Sequence, residues 1–162
     1  MASTTFKTIL ITTNGAERPI FEAVTDAAVT PGELLQWSSD DQLKAHATAG
    51  GNALPMFALE DPYNGDTSNP AIDVDYGTNE QARYVFAQPG DVVYAFLADG
   101  QSVNKGDALE SDGAGALQAH TARAVNEGGS STYTVYTDGI VAYADEDKSA
   151  SGARARIKAR VA

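Results

Sequence analysis

The stretch Val92-Val93-Tyr94-Ala95-Phe96-Leu97 is a near-continuous apolar run of residues that favour β-strands. Turn-forming residues bound it on both sides, with Pro89-Gly90-Asp91 before it and Asp99-Gly100 after it. A short apolar run between turns is typical of a strand that is buried on both faces. The run therefore predicts a core strand, and it sets the fold class that we expect for the whole chain.

Similar short β-like runs recur on both sides of this stretch, separated by Gly, Pro, Asn and Asp. No segment shows a sustained helical period with capping residues. Many short strands divided by turns are typical of β-sandwiches and barrels. We therefore predict an all-β fold, either a small antiparallel barrel or a jelly-roll-like sandwich. The further strands are predicted at 5–13, 18–24, 55–60, 82–87, 133–136, 140–144 and 153–161, with a hairpin at 34–46.

An internal echo links two parts of the chain at an offset of 74 residues. Gly32-Glu33-Leu34-Leu35 is followed by Leu43-Lys44-Ala45-His46, and Gly106-Asp107-Ala108-Leu109 is followed by Leu117-Gln118-Ala119-His120. The pattern predicts two similar hairpins on one barrel. A repeat of ligand-binding loops is the alternative interpretation.

The domain organisation that we predict is an extended N-terminal arm over residues 1–20 and a single β domain over residues 21–162, with a long polar loop at 61–79. The arm contains β-branched and apolar residues that are able to add a strand to a neighbouring protein. The alternative is that these residues form the first strand of the core. Asn14-Gly15, a strong turn signal, is also compatible with a local hairpin.

The last predicted strand has a basic face. Its period is two, so Arg154, Arg156, Lys158 and Arg160 share one side, and small or apolar residues share the other. Like charges on one strand face repel one another and need partners. Either acidic residues on a neighbouring strand or water supply these partners, or the face contacts another subunit or an acidic partner surface.

The sequence offers little for catalysis or for metal binding. It has no cysteine, no phosphate-binding glycine loop and no nucleophile elbow. His46 and His120 occupy equivalent places in the echo, which favours structural roles, and the clustered carboxylates lack the spacing of a calcium loop. We therefore expect no catalytic, cofactor-binding or metal-binding residues, and a protein that is not an enzyme.

Charge and hydropathy exclude two further classes of partner. The formal net charge is −11, which opposes binding to nucleic acids because that binding depends on lysine and arginine. No run approaches the roughly 20 apolar residues of a membrane span, and the N-terminus does not have the pattern of a signal peptide. We expect a soluble protein that binds neither nucleic acid nor membrane.

Several segments resemble the capsid cement proteins, or head decoration proteins, of tailed bacteriophages. The similar segments are 21–35, 44–51 (Lys-Ala-His-Ala-Thr-Ala-Gly-Gly), 90–100, 105–111 and the closing Arg-x-Arg-Ile-Lys-x-Arg-Val strand, and together they span most of the chain from Ile20 to Val161. The resemblance implies a homotrimer, made in the host cytoplasm, that binds the major capsid protein on the outer surface of the mature head. There it would stabilise the virion by bridging capsomers.

Two functions thus stand as expectations. For the cement protein, the candidate residues for contacts with the capsid or between subunits are Phe6, Ile9, Ile11, Arg18, Ile20, Phe21, Arg154, Arg156, Lys158 and Arg160. The alternative is a carbohydrate- or receptor-binding β-sandwich on a virion or cell surface. Its sugar platform would be built from Trp37, Tyr63, Tyr76, Tyr133 and Tyr136.

Overall fold

The strand prediction at 92–97 identifies the centre of the fold. In the computed structural model, residues 6–66, 68–126, 132–135 and 138–162 are described, and they form short strands and one 3₁₀ turn at Ala71–Asp73. The strands are β1 (Leu10–Thr12), β2 (Phe21–Val24), β3 (Leu35–Trp37), β4 (Leu43–Ala45), β5 (Met56–Ala58), β6 (Gln81–Phe86), β7 (Val92–Leu97), β8 (Ser102–Val103), β9 (Ala108–Ser111), β10 (Leu117–Ala119), β11 (Arg123–Asn126), β12 (Thr132–Val135), β13 (Ile140–Ala144), β14 (Lys148–Ser149) and β15 (Ala155–Val161).

Five strands close into a barrel. They follow the order β7-β10-β9-β13-β15, and β15 pairs back onto β7. The β15–β7 register runs from Ala155 opposite Leu97 to Arg160 opposite Val92. This closed barrel confirms the all-β prediction. It is mixed rather than wholly antiparallel, because β10 runs parallel to β7.

The main core lies inside this barrel, and the strand sequences explain it. Along β15 the period of two turns Ile157, Ala159 and Val161 inward, where they are buried. The predicted core strand contributes Val93 and Leu97, both fully buried. Each large side chain removed from water in this way contributes roughly 1.5–3 kcal/mol. β7 and β15 are therefore buried on their shared inner face.

A second layer covers one side of the barrel. Strands β2, β6 and β5 form a three-stranded antiparallel sheet, and β3 and β4 form a separate hairpin. Alternation along the sheet sends Phe57 and Val85 toward the barrel core. The opposite face carries Met56 and Tyr84, which join a smaller apolar cluster beneath the β3–β4 hairpin.

The two hairpins of the echo have the same register. Leu35 lies opposite Ala45 in β3–β4, and Leu109 lies opposite Ala119 in β9–β10, each pair 74 residues from its counterpart. The prediction of two similar hairpins is confirmed, but only β9–β10 belongs to the barrel. The β3–β4 hairpin packs beside the barrel instead, where the Leu34 N–H donates to the carbonyl of Gly115 at 2.8 Å.

The predicted polar loop at 61–79 has an anchored second half. Ile72 and Tyr76 are buried, and Tyr76 forms a backbone bridge with Val29. The Tyr76 hydroxyl donates to the carbonyl of Leu59 at 2.9 Å. Burial raises the pKa of Tyr76 to about 12. Apolar residues inside a polar segment thus fix its path across the surface.

The N-terminal segment differs from the predicted arm. Residues 6–18 lie against the barrel, because β1 pairs with β7 and Ile9 is fully buried in the main core. Phe6 makes an edge contact with the ring of Tyr94, their centroids 5.4 Å apart. The alternative interpretation, a first core strand, describes this part of the chain. Residues 1–5 lie outside the described residues.

In the described ranges, no helix has the length and apolar character needed to span a bilayer.

Candidate interaction surfaces

The basic face consists of Arg154, just before β15, and Arg156, Lys158 and Arg160 within it. Its first two residues form ion pairs within the chain. Arg154 donates to the carboxylate of Glu33 and to the hydroxyl of Thr30, the latter at 2.8 Å. Arg156 donates to the carbonyl of Pro31 at 2.9 Å and to the carboxylate of Asp73 at 3.1 Å. Burial lowers the pKa of Arg156, and its bond with Asp73 opposes that shift.

Both guanidinium groups also stack on one ring. The Cζ atoms of Arg154 and Arg156 lie 4.1 and 4.3 Å from the centroid of Phe96, which is opposite Arg156 in the β15–β7 register. Such contacts contribute about 0.5–1 kcal/mol at exposed sites and more where water is excluded. The outer face of β7 therefore gives these two cations a platform of their own.

The other two cations of β15 are paired as well. Lys158 Nζ lies 3.4 Å from a carboxylate oxygen of Glu146, and Arg160 lies 3.0 Å from one of Asp145. Arg160 also donates to the carbonyl of Gly90 at 3.0 Å. Of the two interpretations of this face, the structure shows the one in which the same chain supplies the acids. A contact with the capsid through these residues stays a prediction.

Arg18 holds the N-terminal segment against the barrel. Its guanidinium donates to both oxygens of Asp91, at 2.7 and 2.9 Å, and both side chains are almost fully buried. Burial by itself would raise the pKa of Asp91, but Arg18 and the amides of Gln88 and Asn14 lower it below its ordinary value. Arg18 is thus a structural residue in this conformation, and Ile11, which lies in β1 of the same segment, is only partly exposed.

Ile20 and Phe21 are the apolar members of the predicted interface set that are exposed. Their side chains are 50% and 40% exposed, and Val24 in the same strand is 41% exposed. These are large apolar groups left in water, whereas Ile9 is fully buried. The structure therefore separates the predicted interface residues, and only the group at β2 presents an apolar surface.

Phe21 belongs to a cluster that we name the aromatic face, formed by Phe21, Trp37, Tyr84 and Phe86. The ring of Phe21 stacks on the ring of Tyr84 at a centroid distance of 5.6 Å. Trp37 makes an edge-on contact with the Tyr84 ring at 5.7 Å. Phe86 completes the cluster with an edge contact to Phe21 at 5.7 Å. Trp37 is 39% exposed. Exposed apolar patches on soluble proteins commonly mark binding surfaces.

The sequence held a signal for the aromatic face that the prediction did not use. Tyr84 and Phe86 are two residues apart on β6, so they must share one side of the sheet. Phe21 joins them because it lies opposite Tyr84 in the β2–β6 register. Trp37 arrives from the β3–β4 hairpin, which no local pattern places there. A groove beside Trp37 is also lined by Leu54, an exposed apolar residue.

The two histidines have different partners on one strand. His46 Nδ1 lies 2.7 Å from the hydroxyl of Ser111, and His120 Nδ1 lies 2.7 Å from a carboxylate oxygen of Glu110. Arg123 also donates to Glu110, at 3.0 Å. Because Glu110 and Ser111 are neighbours in β9, their side chains point to opposite faces, and the two imidazoles serve different contacts.

The structure does not assemble the predicted sugar platform among the residues that it describes. Tyr76 is buried, and Tyr63, which is 92% exposed, lines a different cavity from Trp37. The side chains of Tyr133 and Tyr136 lie outside the described part of the chain. In that described part, no three histidine, aspartate or glutamate side chains gather so as to hold a metal ion.

Comparison with known proteins gives a likeness of fold. No family model matches this sequence, and no curated protein matches it. Among solved structures, the head fiber gp8.5 N base of bacteriophage phi29 is similar, with a TM-score of 0.54 and 12% sequence identity. The match covers 90% of this chain and 95% of that one. At this identity the likeness shows that the two chains share a fold.

Proposed function

We propose that this chain is a structural protein of a phage virion, a capsid decoration or cement protein that binds the outer surface of the mature head as a homotrimer and bridges capsomers. The observation that carries the proposal is the fold shared with the N base of a phage head fiber over 90% of this chain. The sequence resemblance to head decoration proteins points the same way, from independent features of the turns and strands. The proposed partner is the major capsid protein, and the proposed role needs no enzymatic activity.

The surface of the chain suits such a role. In the part of the chain that the structure describes, seven of the eleven lysines and arginines form ion pairs with carboxylates of the same chain. The excess of acids leaves a net charge of −11, which keeps a protein soluble at the high local concentration of a decorated shell. The aromatic face is the apolar surface that we assign to attachment.

The test is to mix the purified chain with heads that lack it and to image the heads by electron microscopy. We expect added density at threefold and quasi-threefold positions, and a free protein with three times the 16.9 kDa chain mass in light scattering. Heads that stay bare at saturating protein would refute the proposal. An acidic protein of unrelated fold serves as the control for non-specific adsorption.

A matched pair of variants tests the assigned surface. Phe21→Ser removes a 40% exposed ring from the aromatic face, and Tyr143→Ser removes a 43% exposed ring from β13. We expect attachment to weaken at least about tenfold in the first variant, the effect of losing roughly 1.4 kcal/mol. Attachment should be unchanged in the second. Equal behaviour of the two variants would mean that the aromatic face does not touch the head.

A further inference from the structure

Strand β2 is an exposed edge that carries both free backbone groups and exposed apolar side chains. It lies at the end of the β2-β6-β5 sheet, and along Phe21–Val24 it pairs with β6 in the described residues. Ile20, Phe21 and Val24 are each at least 40% exposed. Natural proteins usually cover or blunt such edges, because an open edge is a template for another strand.

The hydrogen bonds beside β2 show which backbone groups point outward. The Thr25 N–H donates to the carbonyl of Glu80 in the direction of β6, at 2.9 Å. Successive residues of a strand point their N–H and C=O groups to opposite sides, so those of Ala23 face β6 and those of Glu22 and Val24 face away.

The next residue along the chain confirms this alternation of backbone groups toward and away from β6. The Asp26 N–H points away from β6 and donates to the carbonyl of Leu43 at 2.7 Å. A parallel bridge also joins Thr25 to Leu43, so the β3–β4 hairpin covers this end of β2, the carbonyl of Val24 included. In the described residues, the outward N–H and C=O of Glu22 and the N–H of Val24 remain open to a strand from another molecule.

Charge indicates what kind of strand fits. Glu22 is exposed and belongs to the outward-pointing set, and Glu17 and Asp26 flank it on either side. From residue 19 to residue 43 the chain has no lysine or arginine. The nearest preceding cation, Arg18, is engaged with Asp91. The cation opposite Glu22 in the β2–β6 register is Arg83, which donates to the carbonyl of Glu60 at 3.1 Å. Carboxylates still outnumber cations here, so this edge is acidic as well as apolar.

The alternation of β2 sets the pattern of the incoming strand. Side chains beside Phe21 and Ala23 would extend the aromatic face and should be apolar. Side chains beside Glu22 would lie on the other face of the sheet, where Glu22, Asp61 and Arg83 line one cavity. Because two carboxylates face one cation there, those side chains should be basic. A second copy of this chain fits poorly, because it would set the acidic edge of one copy against that of the other.

We propose that the open edge of β2 binds an extended segment of a partner protein in which apolar and basic side chains alternate, adding a strand to the β2-β6-β5 sheet. This inference goes beyond the proposed function and does not depend on it, because free peptides and the isolated chain test it. Main-chain hydrogen bonds supply the affinity in such recognition, and the alternating side chains supply the specificity.

The probes are a labelled peptide that alternates valine and lysine and a twin that alternates valine and glutamate. The variants are Glu22→Lys and, as the matched control, Asp99→Lys, which makes the same change of charge in an exposed turn after β7. We expect the lysine peptide to bind and the glutamate peptide to bind at least about tenfold more weakly, which corresponds to roughly 1.4 kcal/mol. Glu22→Lys should weaken binding of the lysine peptide by a similar factor, and Asp99→Lys should leave that affinity nearly unchanged.

Amide hydrogen exchange on the unaltered chain gives a second readout that does not depend on a variant. Saturation with the lysine peptide should slow exchange at the Glu22 and Val24 amides and leave Ala23, already within the sheet, unchanged. Equal effects of the two variants, protection elsewhere than β2, or no binding of the lysine peptide would overturn the inference. Protection of Glu22 and Val24 in the free chain, accompanied by self-association in light scattering, would overturn the choice of partner.

Discussion

Replacing Asp91 with asparagine should release the N-terminal segment and destabilise the whole fold. The Asp91 carboxylate accepts four hydrogen bonds, two at each oxygen. One oxygen receives the Asn14 N–H and one Arg18 nitrogen, and the other receives the Gln88 N–H and a second Arg18 nitrogen. Asparagine keeps the shape but only one oxygen, so in either orientation its amino group faces two donors.

The size of the effect follows from burial. Asp91 is fully buried, and the side chain of Arg18 is 6% exposed. Removing one partner of a buried ion pair costs about 3–5 kcal/mol, since the other charge is left without compensation. Domains of this size have total stabilities of roughly 5–15 kcal/mol. We therefore expect Asp91→Asn to lose a large part of the free energy of unfolding.

Urea unfolding measures the loss, and its pH dependence identifies the group. The pKa of Asp91 is lowered in the folded state, so its contribution is complete above the ordinary aspartate pKa of about 3.9. That contribution is lost as the pH falls from there through the folded-state pKa. The difference in stability between the unaltered chain and Asp91→Asn should thus be constant near neutral pH and should shrink below about pH 4.

Asp99→Asn is the matched control, because Asp99 lies at the other end of the same strand, β7, and is exposed. Its stability should stay within about 0.5 kcal/mol of that of the unaltered chain. If Asp91→Asn unfolded at the same urea concentration as Asp99→Asn, the view of Asp91 as the anchor of the N-terminal segment would be refuted.

Two further predictions concern a buried hydroxyl and a pair of glycines. Tyr76→Phe removes the hydrogen bond to the Leu59 carbonyl and leaves a buried acceptor unpaired, so the free energy of unfolding in urea should fall by about 1–3 kcal/mol. In the unaltered chain, absorbance should show one tyrosine that ionises only near its pKa of about 12. Gly32→Ala and Gly106→Ala change glycines with φ of 96° and 97°. Both substitutions should lower stability because alanine disfavours a positive φ. An added Cβ at Gly32 would also lie 2.8 Å from the carbonyl oxygen of Tyr94, whereas at Gly106 it meets nothing within 4 Å. Gly32→Ala should thus be less stable than Gly106→Ala by about 1–3 kcal/mol, and equal melting temperatures would contradict this account.

The sequence was sufficient for most of the strands because their signals are local, although β8, β11 and β14 were not predicted. The apolar run of β7, the period of two in β15 and the turn residues between them depend on neighbours within a few positions. The echo even predicted that Leu35 and Leu109 would hold equivalent places in two hairpins. Its placement of both hairpins on one barrel was wrong, since that is decided by packing between distant elements.

The partners of the basic face could not be predicted for the same reason. Arg154 finds Glu33 from 121 residues away, and Arg156 finds Asp73 from 83 residues away. Both acids are in turns or loops, where a sequence pattern predicts a solvated charge. Only the closed barrel brings these turns to the outer face of β7 and β15.

This internal pairing changes where the binding surface is to be sought. A face of four cations looks like the natural site for a partner, yet each of them already has a carboxylate of its own chain. An incoming acid would have to displace that carboxylate, which cancels most of the electrostatic gain. At β2 the balance is reversed, because exposed apolar groups and open backbone groups gain from contact. The Glu22 carboxylate also gains, since it accepts a hydrogen bond from Gln81 at 2.8 Å but forms no ion pair among the described residues. The interface is therefore expected at an edge strand with open backbone groups and exposed apolar side chains rather than at the strand whose cations are already paired.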